Sequence, residues 1–289
     1  GQLQMGEAIA DAYLRDIGQA APAPERRFRR GLPIAPGVRV RLFVLAGQRN
    51  MEGEDAYVSE LARQPTFAFL TQDQPNVLYR YSLGGGVRIA PDWEPLGPVD
   101  PRGTFGPELS FGARLRKTMD GAEGLAIVKF THSGAQGPDW FPDGSPEARR
   151  NLYPRFLQFV RAARESLQTQ GYQPTLEGVF WHTGENDTFF GPYAQNNAKW
   201  MRQLIARTRE ELRQPDLAWY ISEQHSKSPW RNMEKVNEAL RELARADSRI
   251  KVITTSDLPH AQRHFGAEGT LLLGERLAET YLERPAGKP

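Results

Sequence analysis

Val38-Arg-Val-Arg-Leu-Phe-Val-Leu-Ala46 passes from alternating to continuous apolar character and ends in Gly47-Gln-Arg-Asn-Met51. That pattern predicts a buried strand running into a tight turn. Leu125–Phe130, Leu176–Trp181, Leu217–Ser222 and Ile250–Thr254 repeat the apolar-strand form. Helical periodicity fills the intervals, at Glu108–Met119, Ser145–Gln170, Tyr193–Arg213, Asn232–Ala246 and Gly269–Tyr281. Short apolar strands alternating with long helices imply an α/β chain, its parallel sheet covered by helices on both faces. Residues 52–102 are richer in Pro, Gly and polar side chains and predict an excursion with a hairpin, Val77–Leu83 followed by Gly84-Gly-Gly86. An amphipathic helix at Met5–Ile17 and a Pro/Ala/Arg-rich linker, Ala20–Pro36, make residues 1–36 a lead-in to one domain at 37–289.

Composition removes several functions. The 289 residues carry 37 Lys+Arg against 35 Asp+Glu, a formal +2. Arg26-Arg-Phe-Arg-Arg30 is a short run beside prolines and reads as solvated linker, so nucleic acid is not an expected partner. With no cysteine, disulfides, thiolate metal sites and cysteine nucleophiles are all excluded. No apolar run reaches the roughly 18–20 residues of a membrane span. Compartment stays open, an extracytoplasmic site after removal of a leader being one reading.

In open parallel sheets, ligands bind beyond the carboxyl ends of the strands. The informative segments are therefore Gly47–Met51, Thr131–Gly134, His182–Asp187, Glu223–His225 and Ser256–His264. In that order they resemble the blocks of the SGNH-hydrolase superfamily, in the branch of sialate O-acetylesterases and acetyl xylan esterases. Leu45-Ala-Gly-Gln-Arg-Asn-Met51 is similar to the LAGQSNM block that carries the nucleophilic serine. Gly106-Pro-Glu-Leu-Ser-Phe111 resembles the segment whose glycine donates to the oxyanion. Gly134 with Trp140-Phe-Pro142, Gly178-Val-Phe-Trp-His-Thr-Gly-Glu-Asn-Asp187 and His264-Phe-Gly-Ala-Glu-Gly269 resemble the later blocks, the last holding the catalytic histidine. The resemblance implies a three-layer α/β/α, flavodoxin-like fold with a central parallel sheet. It also implies a Ser-His-Asp mechanism, with the aspartate three residues before the histidine.

Three positions depart from that pattern. Arg49 stands at the serine position, Ala261 where the orienting aspartate would be, and Thr183 in place of a glutamine. An arginine has no nucleophilic oxygen and does not lose its proton. The expectation is therefore a pseudoenzyme whose former active-site cleft binds a carbohydrate or a small anionic ligand. Its ligand residues would be Arg49, Gln48, Asn50, Gly106, Ser133, His132, His182, Thr183 and Trp140. Arg49 either clamps an anion through its planar guanidinium, helped by the adjoining helix N-terminus, or folds back onto Glu52, Glu54, Asp55 or Glu185. The alternative is acid–base chemistry by His264 with Glu185 or Asp187. No cofactor is expected; a divalent metal held by His132, His182 and His264 is the second reading. A relocated nucleophile (Ser133 or Ser256) or the Asp257-Leu-Pro-His260 string is set against plain turn roles. With Ala261 unable to orient the histidine, Arg49→Ser is expected not to restore esterase activity.

Overall fold

A computed structural model describes residues 28, 32–100, 102–146, 150–229, 231–261 and 263–283. The helix expected at Met5–Ile17 lies outside the described residues. One eight-stranded sheet organises the chain: β1 (Arg39–Gly47), β2 (Gln74–Leu83), β3 (Arg88–Ile89), β4 (Glu94–Leu96), β5 (Gly124–Thr131), β6 (Gln173–His182), β7 (Trp219–Ser222) and β8 (Ile250–Ile253). Its order is β3-β2-β5-β1-β6-β7-β8, with β4 paired to β2. Every pairing from β2 through β8 along this path is parallel; β3 and β4 run antiparallel to β2.

The residues of β1 explain why it lies at the centre. Val40, Leu42, Val44 and Ala46 face one apolar core, and Phe43 and Leu45 face the other. A strand with both faces buried must be apolar at successive positions. The first core is covered by α4 (Leu152–Thr169), α5 (Gly191–Glu211) and α6 (Met233–Ala246); the second by α3 (Glu108–Thr118) and α7 (Ala267–Leu282). Two shorter helices, α1 (Arg49–Glu52) and α2 (Val58–Leu61), lie in the excursion after β1. The architecture is the three-layer α/β/α arrangement expected.

Without the excursion, the order β5-β1-β6-β7-β8 is that of a flavodoxin-like sheet. Connections leave β1 in opposite directions at its two neighbours, which opens a crevice at its carboxyl end. The excursion forms the expected hairpin, Ser82 opposite Ile89 and Leu83 opposite Arg88. It also does something the pattern did not suggest: β2 joins the sheet, parallel to β5. Helix α4 starts at Leu152, later than the expected Ser145.

The end of β1 is sterically fixed. Gly47 has φ 146°, and a Cβ there would sit 2.0 Å from the His182 carbonyl oxygen. Gln48 N–H donates to that same oxygen at 3.0 Å. Gly47→Ala is therefore expected to destabilise the protein by on the order of 3 kcal/mol in urea unfolding. An unchanged midpoint and slope would show that the turn can relax.

Candidate active site

The turn after β1 is an elbow with a cation at its tip. Arg49 has φ 25°, a left-handed conformation uncommon outside glycine. It projects the side chain from the carboxyl edge of the sheet. The guanidinium Nη1 meets both oxygens of Glu54, at 2.9 and 3.1 Å, so Glu54 is the partner among the four carboxylates expected. Ser133 Oγ donates to the same carboxylate at 3.1 Å. Both members of the pair are more than a quarter exposed, and such a pair is worth at most about 1 kcal/mol. Nε and Nη2 of Arg49 donate to no described residue. The helix that follows has only four residues, so the expected help from a helix N-terminus at an anion is withdrawn: too few peptide dipoles align there.

Beneath the elbow lies a buried polar network. Gln48 Nε2 donates to Glu185 Oε2 at 2.5 Å, and Asn50 Nδ2 donates to Glu185 Oε1 at 3.2 Å. His182 is fully buried; its Nδ1 lies 2.7 Å from Ser222 Oγ, and its Nε2 3.1 Å from Asn50 Nδ2 and 3.3 Å from Glu185. Burial alone would push the Glu185 carboxyl up. The His182 charge, with hydrogen bonds from His182, Gln48 and the backbone, outweighs it and brings the pKa to about 2. Gln48 and His182 are thus joined through Glu185 in one buried network, which the motif positions alone did not indicate.

His264 has a carboxylate after all. Its Nδ1 lies 2.8 Å from Asp55 Oδ2, which corrects the inference that Ala261 leaves the ring unoriented. The loop bearing His264 is also tied to the elbow, for Phe265 N–H donates to Asn50 Oδ1 at 2.9 Å. Nε2 of His264 has no partner among the described residues. In the sequence Asp55 reads only as a candidate partner of Arg49, because its position, just after the elbow, is not where the family pattern puts an aspartate. Only the local acidic run Glu52-Gly-Glu54-Asp55 hinted at it.

Other expected site residues are placed elsewhere. Gly106 N–H donates to Glu108 Oε1 at 3.2 Å and not into an open oxyanion site. Glu108 is in turn paired with Lys129 at 2.7 Å, both nearly fully buried, and Lys129 Nζ also donates to the Glu52 carbonyl at 3.1 Å. Neither Lys129 nor Glu108 was anticipated, because Lys129 interrupts an otherwise apolar strand without belonging to any block. Trp140 is buried against Phe130, Phe156 and Trp181; it is core, and cannot stack on a sugar. Thr183 Oγ1 accepts the Trp181 indole N–H at 2.8 Å. Asp187 accepts from Gly137 N at 2.8 Å and Asn197 Nδ2 at 3.1 Å. Burial raises its pKa to about 6 despite those two bonds.

The histidines do not converge. His132 Nδ1 lies 2.8 Å from the Ser133 carbonyl, His182 is locked in the buried network, and His264 is paired with Asp55. Among the described residues no group of three or more His, Cys, Asp or Glu side chains is placed to hold a metal ion. His260 stacks on His225 at 4.2 Å, and burial with the neighbouring His225 charge lowers its pKa to about 4. Asp257 forms a two-pronged pair with Arg276, at 2.5 and 2.7 Å, so it does not orient His260. Ser133 bonds Glu54, not an imidazole. No described helix is long and apolar enough to cross a membrane.

A mostly parallel sheet between two helical layers carries an elbow at its switch point and a histidine on its last loop, the α/β/α arrangement expected. A profile of the family described as carbohydrate esterase, sialic acid-specific acetylesterase, matches residues 39–283, and the chain belongs to that family. An X-ray structure of an Arabidopsis thaliana protein is similar with TM-score 0.67 and 21% identity, covering 86% of this chain and 99% of that one. NanS gives 0.64 and 17%, over 86% and 98%. A carbohydrate acetylesterase from Xanthomonas citri gives 0.57 and 17%, over 82% of this chain and 54% of the other. No curated protein sequence matches.

Two stability measurements probe this site. Lys129→Met strands the buried Glu108 charge and is expected to cost about 3–5 kcal/mol; a loss below 1 kcal/mol would mean the pair is solvated. Asp187 holds its proton in the folded state to about pH 6, against 3.8 ordinarily. The unfolded chain therefore releases that proton first, and this group's contribution falls as pH rises from about 4 to about 6. Glu185 acts oppositely, its contribution being present above about 4.5 and lost as pH falls toward 2. In chemical unfolding across pH, Asp187→Asn should lack the decline between 4 and 6; a parallel pH curve would refute the assignment.

Proposed function

We propose that this carbohydrate-esterase-family domain binds a saccharide or small anionic ligand in the former active-site cleft, without serine-based hydrolysis. One observation carries the reading: the strained tip of the elbow holds Arg49, with Nε and Nη2 without a partner among the described residues, where an acyl-transfer nucleophile would stand. Acyl transfer through a covalent intermediate needs an oxygen or sulfur at that point. Arg49 offers instead a fixed positive charge, half neutralised by Glu54 and open to a second anionic partner.

An acidic sugar satisfies both halves of the description. The family's name points to sialic acids, whose carboxylate matches the planar guanidinium fork. Phe189 and Phe190, each about half exposed just beyond the Glu185 loop, are aromatic surface on which a sugar ring could stack. Acid–base catalysis by His264 with Glu185 or Asp187 is less well supported, since both carboxylates are buried and engaged elsewhere.

Calorimetric titration with N-acetylneuraminic acid, alongside its uncharged reduced-carboxyl analogue, tests the reading. The acid is expected to bind, and Arg49→Ala to weaken it roughly tenfold or more, the worth of one charge-assisted pair. Equal affinity of the wild type and Arg49→Ala would remove Arg49 from the site. Turnover of acetyl esters by the wild-type protein, abolished by Ser133→Ala, would overturn the loss of the serine mechanism.

A further inference from the structure

We infer that Asp55 has taken over the orienting role of the missing aspartate, so that the site keeps a working His–Asp base and lacks only a nucleophile. The inference rests on the non-hydrolytic reading above and deepens it. Asp55 Oδ2 lies 2.8 Å from His264 Nδ1. That is the contact by which a carboxylate fixes an imidazole's tautomer, leaving Nε2 as the proton acceptor. The opposite nitrogen has no partner among the described residues, and the ring is only 6% exposed while Asp55 is 40% exposed. Such burial protects the ring's geometry, while the carboxylate lies at the rim.

Two further contacts hold the histidine in register with the elbow. Asn50, the residue after Arg49, accepts the Phe265 N–H at 2.9 Å. Gly53 carries φ 95°, and a Cβ there would sit 1.8 Å from the Phe105 carbonyl oxygen. The backbone can turn so tightly only at glycine, and the turn presents Glu54 and Asp55 to different partners, Arg49 and His264. Ala261 is thus no defect in the base: the carboxylate has moved from the histidine's own loop to the segment behind the elbow.

Arg49→Ser supplies the absent part. In the variant, the introduced hydroxyl attacks the acetyl carbonyl carbon while His264 Nε2 takes its proton. The ester C–O bond breaks, and that proton passes to the departing alkoxide. Water then adds to the acyl group through the same base and releases acetate, restoring the hydroxyl. The rate will stay below that of a complete esterase, because Gly106 N–H is held by Glu108 and one oxyanion donor is worth about 10²–10³ in turnover.

With p-nitrophenyl acetate, Arg49→Ser is expected to turn over at least tenfold faster than the wild type. Adding Asp55→Asn or Asp55→Ala should return kcat to the wild-type level with KM little changed. Asn keeps the hydrogen-bonding shape without the charge, so a merely structural Asp55 would tolerate it. A folded Arg49→Ser no faster than the wild type, or one indifferent to Asp55, overturns the proposal. Should Arg49→Ser not fold, ¹⁵N NMR of the imidazole decides in the wild-type background. His264 is expected as the Nδ1–H tautomer and to lose that preference in Asp55→Ala; an unchanged tautomer refutes the orienting role. Acetyl-ester turnover by the wild type that is lost on His264→Ala or Ser133→Ala would instead refute the non-hydrolytic reading, a distinct result.

Discussion

Asn50 joins the two ends of the site. Its Oδ1 accepts the backbone N–H of Phe265, and its Nδ2 donates to Glu185, so one side chain bridges the first strand's turn, the β6 loop and the last loop before α7. Those segments lie far apart in the chain, yet an amide has only one oxygen and one nitrogen with which to pair. Satisfying both at once sets the position of the elbow relative to His264. The parallel sheet brings the three strand ends to one edge; Asn50 fixes their register there.

Around that hub, charge is distributed by a single acidic segment. Glu52 pairs with Arg102 at 2.8 Å, Glu54 with Arg49, and Asp55 with His264. An acidic run on a surface usually reads as solvated, and each partly exposed pair adds little stability by itself. Their combined effect is positional. Gly53 turns the backbone between the first and the other two, so adjacent carboxylates reach partners from separate elements. Lys129, buried on β5, anchors the start of this segment by holding the Glu52 carbonyl, and Glu108 neutralises it. The cleft is thus built on a buried ion pair and finished with partly exposed ones.

Most of the fold was legible in the residues. β1 could be read from Val38–Ala46 because its doubly covered part, Leu42–Ala46, is apolar at successive positions. Helices α3, α5, α6 and α7 followed from amphipathic periodicity to within a few residues of their observed ends. β2 was not legible as a member of the sheet, since its mixed sequence reads equally well as a surface hairpin and its pairing with β5 is non-local. The site was legible only in part. The elbow, His264 and the Glu185 loop sit at strand ends, where periodicity points. Asp55 and Lys129 act through partners distant in sequence, and no spacing rule connects them. The same limit explains Trp140 and His182: a motif position does not say whether a side chain faces the cleft or the core, and here both face the core.

The central claim, that a cation has replaced the nucleophile and nothing else has assumed its role, is tested most directly by intact-mass spectrometry. The wild-type protein would be incubated with a fluorophosphonate that captures activated serines. The account predicts an unmodified mass, because Ser133 Oγ donates to Glu54, which is held by Arg49, and not to an imidazole. A single stoichiometric adduct mapped to Ser133, and lost when His264 is replaced, would contradict it.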